Sequence, residues 1–92
     1  MSHEYEVAWS ATSRRQPAGL PEKAATAVVE FVYGALADNP HRVGRVLRFE
    51  LHGHHSARRG DYRVIYVIDE GVRRVTIRVI EHRSDVYRRR QD

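Results

Sequence analysis

Three arginines, Arg58, Arg59 and Arg63, stand within six residues of each other around Gly60, beside Tyr62, Val64 and Tyr66. Arginine keeps its charge at any working pH and presents a planar fork of donors that matches a phosphate. Each hydrogen bond involving such a charged group is worth about 1.5–3 kcal/mol. A tight turn at Gly60 brings positions 58 and 63 near each other across two neighbouring strands. Arg63 sits among tyrosines and branched apolar residues, so its head group must reach an edge or meet a counter-charge. A bound phosphate meets that need, and so does a structural partner such as Glu50, Asp61 or Glu81.

A second set lies in EHRSDVY, residues 81–87. His82 can move a proton near neutral pH. Arg83 can neutralise a phosphate, and Tyr87 can stack on a base or donate a proton. Cleavage of a phosphodiester by its neighbouring 2′-hydroxyl needs a base, an acid and cationic stabilisation of the strained phosphate. The two sets together contain all three. A third set, HGHH at 52–55, invites a metal. In a strand, however, His52 and His54 share a face and leave room for two ligands at most, with no carboxylate or cysteine frame around them. Proton transfer or RNA contact by His54 or His55 is the better reading. Finally, Arg42, Arg45 and Arg48, with Arg88, Arg89 and Arg90 in the tail, suit sequence-independent contacts to a phosphate backbone or serve as solubilising charge.

The charge balance agrees with a polyanionic partner. Of 16 basic residues in 92, only Lys23 is a lysine. Residues 1–40 carry three basic and five acidic groups, whereas residues 41–92 carry thirteen arginines and seven acids, a net +6. A basic half favours nucleic acid or an acidic protein. No cysteine is present, so neither a disulfide nor a thiolate metal site supports the fold. No apolar run approaches the roughly 20 residues of a membrane span, and the start MSHEYEVAWS lacks the pattern of a signal peptide. A cytoplasmic protein of one domain, residues 1–92, is expected.

The elements that must position these groups follow from periodicity. Tyr5, Val7 and Trp9 alternate with Glu4, Glu6 and Ala8, as in a half-buried strand. ATSRRQPAGLP has no apolar stripe and reads as a loop or one helical turn. Ala24, Ala27, Val28, Phe31, Ala35 and Leu36 recur at helical steps, which predicts a helix over 21–38 that starts at Pro21-Glu22 and stops at Asn39-Pro40. Four strands are expected near 46–51, 54–58, 61–69 and 72–81, with Gly60 and Gly71 as turn residues free to take positive φ. The third is apolar on both faces and should be central. In the fourth, Val75, Ile77 and Val79 oppose Thr76, Arg78 and Ile80. The tail reads as a short helix capped by Ser84. The fold class is α+β, with a helix on one face of a mostly antiparallel sheet and the other face partly open.

The order S-x-R-x-G-x-Y-R-x-x-Y from Ser56 to Tyr66, followed by H-R-x-x-x-Y from His82 to Tyr87, resembles the RelE branch of the RelE/ParE toxins of bacterial type II toxin–antitoxin systems. The run NPHRVGRVLRFELHGHH, the helix beginning LPEK and the strand YEVAWS fit the same scheme, so the resemblance spans residues 4–87. It implies a compact sheet flanked by N-terminal helices. It further implies a ribosome-dependent mRNA interferase that cleaves the codon in the A site by 2′-hydroxyl attack, without metal or other cofactor. By the resemblance, Arg63 stabilises the phosphate, Arg83 is a second phosphate contact, and Tyr87 stacks on a base or assists proton transfer. Arg58 and Arg59 support that site or hold ribosomal RNA, as Arg45, Arg48, Arg88 and Arg89 would. Some members carry lysines where this chain has His54 and Ser56, which leaves the general base open among His54, His55 and His82. The implied partners are a cognate antitoxin, in a hetero-oligomer, and the ribosome with its mRNA; no membrane is involved. The alternatives are a ParE-like toxin that binds DNA gyrase without nuclease activity and an inactive antitoxin-binding homologue.

Overall fold

The first strand runs where the alternation places it. In the computed structural model, which describes residues 4–48 and 53–84, β1 spans Glu6–Trp9. Tyr5 is buried, and Val7 and Trp9 pack against the core. Ser10 then caps a five-residue helix, α1 (Ala11–Arg15), its Oγ accepting from the Ser13 amide at 3.0 Å. A 3-10 turn, Pro17–Gly19, leads to α2 (Glu22–Phe31). The chain stays helical through a π-type turn, Val32–Leu36, to Asp38. The expected helix over 21–38 is therefore present, with its last turns widened. Val28, Val32 and Leu36 lie on its inner face and are all but inaccessible. Asn39 both ends this helix and starts the next: its Oδ1 accepts from the Arg42 amide at 3.2 Å, capping α3 (Pro40–Val43).

The remaining chain forms β2 (Arg45–Val46), β3 (His55–Arg59), β4 (Tyr62–Asp69) and β5 (Arg74–His82). The sheet order is β1-β5-β4-β3-β2, so β4 is central, as its two apolar faces require. All pairs are antiparallel except β1 with β5, which is parallel. The fold is α+β. Tyr66, Val64, Val75, Ile77, Ile80 and Ala57 meet Val28, Val32 and Leu36 in one cluster under α2. Among the described residues, no helix is long and apolar enough to cross a membrane.

Three expectations need correction. The strand expected at 46–51 is only two residues long among the described residues, and 49–52 lie outside them, as does the expected tail helix over 85–92. In the β4–β5 turn, the positive φ falls on Arg73 (56°), not on Gly71. Asp69 Oδ1 accepts from the Gly71 amide at 2.9 Å and organises the turn without calling on glycine's freedom. Arg73 is instead held by Glu4 and Glu70, with its guanidinium 4.4 Å from the Tyr5 ring centroid. Finally, β5 does not alternate throughout. Its register slips between Ile65↔Val79 and Tyr66↔Ile77, which leaves Arg78 as an extra, bulged residue. Val75 and Ile77 face α2, but beyond the bulge Ile80 does so and not Val79.

The bulge also explains the polar segment before α2. β1 pairs with β5 only as far as Ile77, so the β5 backbone beyond it would lose its partner. Ser13, itself buried, donates through Oγ to the Ile77 carbonyl at 2.6 Å. Ser10 Oγ donates to the Arg78 carbonyl at 2.7 Å. The Gln16 amide group donates to the Ile80 carbonyl at 2.8 Å and accepts from the Ile80 amide, as a strand would. The helix docks through these bonds, satisfying buried backbone groups, and needs no apolar stripe.

Candidate anion-binding site

Directly opposed residues of an antiparallel pair project from the same face. Arg58 faces Arg63 across β3 and β4, and Arg63 faces Glu81 across β4 and β5. These residues lie on the face turned away from α2, as do Ser56 and Ile65. Arg45 of β2 is paired with Ser56 and joins them. At this edge lies a groove of about 740 Å³ lined by Arg42, Val43, Gly44, Arg45, Leu47, Ser56, Arg58 and Arg63. Four of its eight lining residues are arginines and none is acidic. Among the described residues, none of these four guanidiniums makes an ion pair. Concentrated fixed charge of one sign in a concave surface favours an anion, which makes this groove the candidate site.

Each element has a local reason to be where it is. The Gly60-Asp61 turn has Gly60 at φ 62°, the left-handed conformation that a two-residue hairpin needs, and it sets the register that opposes Arg58 to Arg63. α3 is held against the sheet by Tyr66, whose hydroxyl donates to the Pro40 carbonyl at 2.6 Å. Burial pushes the Tyr66 phenol up to about 12, so it remains a donor. Gly44 lets the chain pass this hydroxyl. A Cβ there would fall well inside contact distance of Tyr66 Oη and 2.9 Å from the Ser56 carbonyl oxygen.

The other candidates are distributed around this groove. Arg59 is opposite Tyr62, on the α2 face. His82 is also opposite Tyr62, its ring edge-on at 5.1 Å between centroids, and so lies on the face away from Arg63. The Ser84 amide donates to His82 Nδ1 at 3.1 Å, which leaves Nε2 as the ring's other nitrogen for proton exchange. Arg83 is exposed beside the Gly60 turn; its amide donates to the Asp61 carbonyl and its guanidinium is 3.7 Å from the Asp61 carboxylate. His54 precedes β3, its carbonyl accepting from the Leu47 amide, and its Nδ1 is buried without a hydrogen-bond partner among the described residues. His55 points to the α2 side, stacked on Tyr66 at 5.5 Å. Burial lowers its pKa, and the nearby His41 and His54 lower it further. Arg48 is exposed and does not line the groove. Tyr87, Arg88 and Arg89 lie outside the described residues, as does His52.

The groove thus unites Arg45, Arg58 and Arg63 with Arg42, and it adds Val43, Gly44 and Ser56, to which sequence reasoning gave no structural role. A second cluster left no signal in the sequence. His41 on α3 pairs with Glu70, 29 residues away, and Tyr5 donates to the same carboxylate at 2.8 Å. His41 also stands edge-on to the rings of Tyr5 and His55, at 6.3 and 5.9 Å.

Comparison with known proteins identifies the family and the fold. The family model described as the ParE toxin of type II toxin–antitoxin systems matches residues 5–87. The chain is 58% identical to Toxin RelE of Mycobacterium tuberculosis over 86 residues, 94% of this chain and 89% of that protein. It is 48% identical to Toxin RelG of the same organism, over 92% of this chain and 98% of that protein. Among solved structures, the M. tuberculosis RelBE2 toxin–antitoxin complex contains a chain that superposes with a TM-score of 0.84 at 45% identity, covering 92% of this chain and 98% of that one. A basic groove on a RelE-type sheet, a family match over nearly the whole chain and relatives this close lead to one assignment: the chain belongs to the RelE/ParE superfamily of type II toxin–antitoxin toxins, with RelE-type toxins among its relatives.

Proposed function

We propose that this toxin is a ribosome-dependent endoribonuclease that cleaves mRNA in the A site. The observation that carries the proposal is the convergence of Arg42, Arg45, Arg58 and Arg63 on one groove without a carboxylate in its lining. In the proposed step the ribose 2′-hydroxyl loses its proton to a base and attacks the adjacent phosphorus. The bond to the 5′-oxygen breaks, and that oxygen takes a proton as it leaves. The products are a 2′,3′-cyclic phosphate and a 5′-hydroxyl end. Arg63, with Arg58 opposite, stabilises the extra negative charge on the phosphoryl oxygens, the role in which a preorganised cation contributes most. The cations of this step are guanidiniums, and no metal is written into it. His54 and Tyr87 are the proton-transfer candidates, with Arg83 as a further phosphate contact; His82, on the face away from Arg63, would have to reach the phosphate around the end of β5. Arg48, Arg59, Arg88 and Arg89 provide longer-range attraction to ribosomal RNA.

The solved M. tuberculosis relative is a toxin–antitoxin complex. By that likeness the partner in the cell is a cognate antitoxin, and the basic groove is a surface an acidic segment would neutralise. The site of action is the cytoplasm, where the ribosome is.

Mapping of RNA 5′ ends after incubation with mRNA, with and without translating ribosomes, tests the proposal. Cuts at A-site codons only with ribosomes support it. The ParE description of the matching family favours one alternative, inhibition of DNA gyrase. Loss of gyrase supercoiling together with uncut RNA would replace the nuclease reading with that one.

A further inference from the structure

We infer that the Tyr66 hydroxyl is a positioning group for the anion groove: by bonding the start of α3 and filling the space beside Gly44 at its end, it sets Arg42 and the chain leading to Arg45 beside the space that Arg58 and Arg63 line. The inference rests on the groove being a phosphate site and goes beyond it by naming what assembles its outer half.

The geometry is specific. Tyr66 is fully buried on the α2 side of the sheet, whereas the groove opens on the other side and around the β2 edge. Its hydroxyl occupies the crook of α3. It donates to the Pro40 carbonyl at the start of that helix, and it lies where a side chain on Gly44, just past the end, would be. A helix advances about 100° per residue, so positions 40 and 43–44 share one side and position 42 points away. Pro40 is buried, Val43 packs on the core, and Arg42 is exposed at the groove. Gly44 leads directly into Arg45, which is set in register with Ser56. With only four residues, α3 has little stability of its own. Beside the packing of Pro40 and Val43 and the β2 register, the exposed Asn39 cap, the exposed His41–Glu70 pair and this buried hydroxyl are the side-chain bonds that hold α3 among the described residues, and the hydroxyl is the buried one. A tyrosine that only satisfied its own buried hydroxyl would have no effect on phosphate affinity in folded protein.

The test is a double-mutant cycle read by binding of a short 2′-O-methyl RNA oligonucleotide, which cannot undergo 2′-hydroxyl attack, across a range of salt. Tyr66→Phe keeps the ring that stacks on His55 and removes one oxygen. Arg42→Ala is expected to weaken binding about tenfold, the scale of one charged hydrogen bond, and to lower the salt slope by about 0.7, the value for one phosphate contact on a single strand. Folded Tyr66→Phe is expected to lose affinity and slope likewise, with little further loss on adding Arg42→Ala. If Tyr66→Phe does not fold, Gly44→Ala, whose Cβ displaces the Tyr66 hydroxyl from α3, gives the same readout. Additive losses, or an unchanged slope in the folded variant, overturn the inference while leaving the groove in place, provided Arg63→Ala still abolishes binding. Failure of the folded wild-type chain to bind the oligonucleotide overturns the groove reading and the inference with it.

Discussion

Arg58 and Arg63 stand directly opposite each other across β3 and β4, on the same face and with the groove between them and α3. Directly opposed strand residues have Cα atoms only about 4.5–5.5 Å apart, and like charges so placed work against the sheet. Glu81, opposite Arg63 on its other side, offsets part of that repulsion, and a bound phosphate would offset the rest. This makes Arg63 a residue whose removal separates stability from activity.

Arg63→Ala should leave the fold intact and shift its stability little, because it removes a repulsion from Arg58 on one side and an opposite charge, Glu81, on the other. Cleavage in the ribosome assay should fall by about 10²–10³, the scale for losing one preorganised stabiliser of transition-state charge. Arg63→Lys should recover only part of this, since an ammonium cannot make the bidentate fork. Paired melting curves and single-turnover cleavage rates measure both. Undiminished cleavage by Arg63→Ala would remove this residue from the site.

Gly44→Ala introduces a Cβ against Tyr66 Oη and 2.9 Å from the Ser56 carbonyl oxygen. The obstacles are a buried ring and backbone, so the neighbours cannot yield easily. Overpacking of this kind costs about 1–3 kcal/mol, read as a lower urea midpoint at unchanged m-value. Gly19→Ala, where a Cβ meets nothing within 4 Å, is the matched control and should shift the midpoint little.

Gln16→Ala strips Ile80 of both side-chain partners at the edge of β5. Leaving part-buried backbone groups unsatisfied costs about 1–3 kcal/mol. Hydrogen exchange should localise the effect, with the Ile80 amide losing protection while β3 and β4 retain theirs. Uniform loss of protection across the sheet would show that Gln16 acts on global stability.

Glu70 and Tyr66 each make stability depend on pH, at opposite ends of the range. The hydrogen bond from His41, then that from Tyr5, holds the Glu70 carboxyl below its ordinary value of 4.5. A depressed folded pKa stabilises the protein above the unfolded value, and that stabilisation is lost as pH falls from about 4.5 through the folded value. Glu70→Gln should therefore melt lower than wild type near neutral pH and converge with it in acid. Burial raises Tyr66 from 10.0 to about 12. Its contribution is complete below pH 10 and is lost as pH rises toward 12. Melting temperature against pH for wild type, Glu70→Gln and Tyr66→Phe resolves the two limbs. A Glu70→Gln curve parallel to wild type throughout the acid range would contradict the linkage.

The arginine cluster was legible because the Gly60 turn and the flanking strands fix a hairpin, and a hairpin fixes which side chains oppose. The helix over 21–38 was legible because its apolar period is long and ends at a proline. Neither the His41–Glu70 pair nor the Gly44–Tyr66 contact could be read, since each joins residues more than 20 positions apart through packing alone. The segment 11–19 was opaque for a different reason. Its attachment to β5 is through serine and glutamine side chains, and such bonds leave no periodicity.

The sequence by itself determined that a basic, cysteine-free α+β chain would carry arginines around one hairpin, and that its central strand would be β4. The tertiary structure alone decided on which face each group lies. With strict alternation along β5, His82 would share a face with Thr76, Arg78 and Ile80, and Glu81 would face α2. The bulge at Arg78 adds one residue to β5 and reverses that order. It sets Glu81 opposite Arg63 and turns His82 toward Tyr62. Side chains alternate with a period of two, so one extra residue exchanges the faces of everything beyond it. Only the pairing with β4, and the capping of the freed β5 backbone by Ser10, Ser13 and Gln16, shows where that residue was inserted.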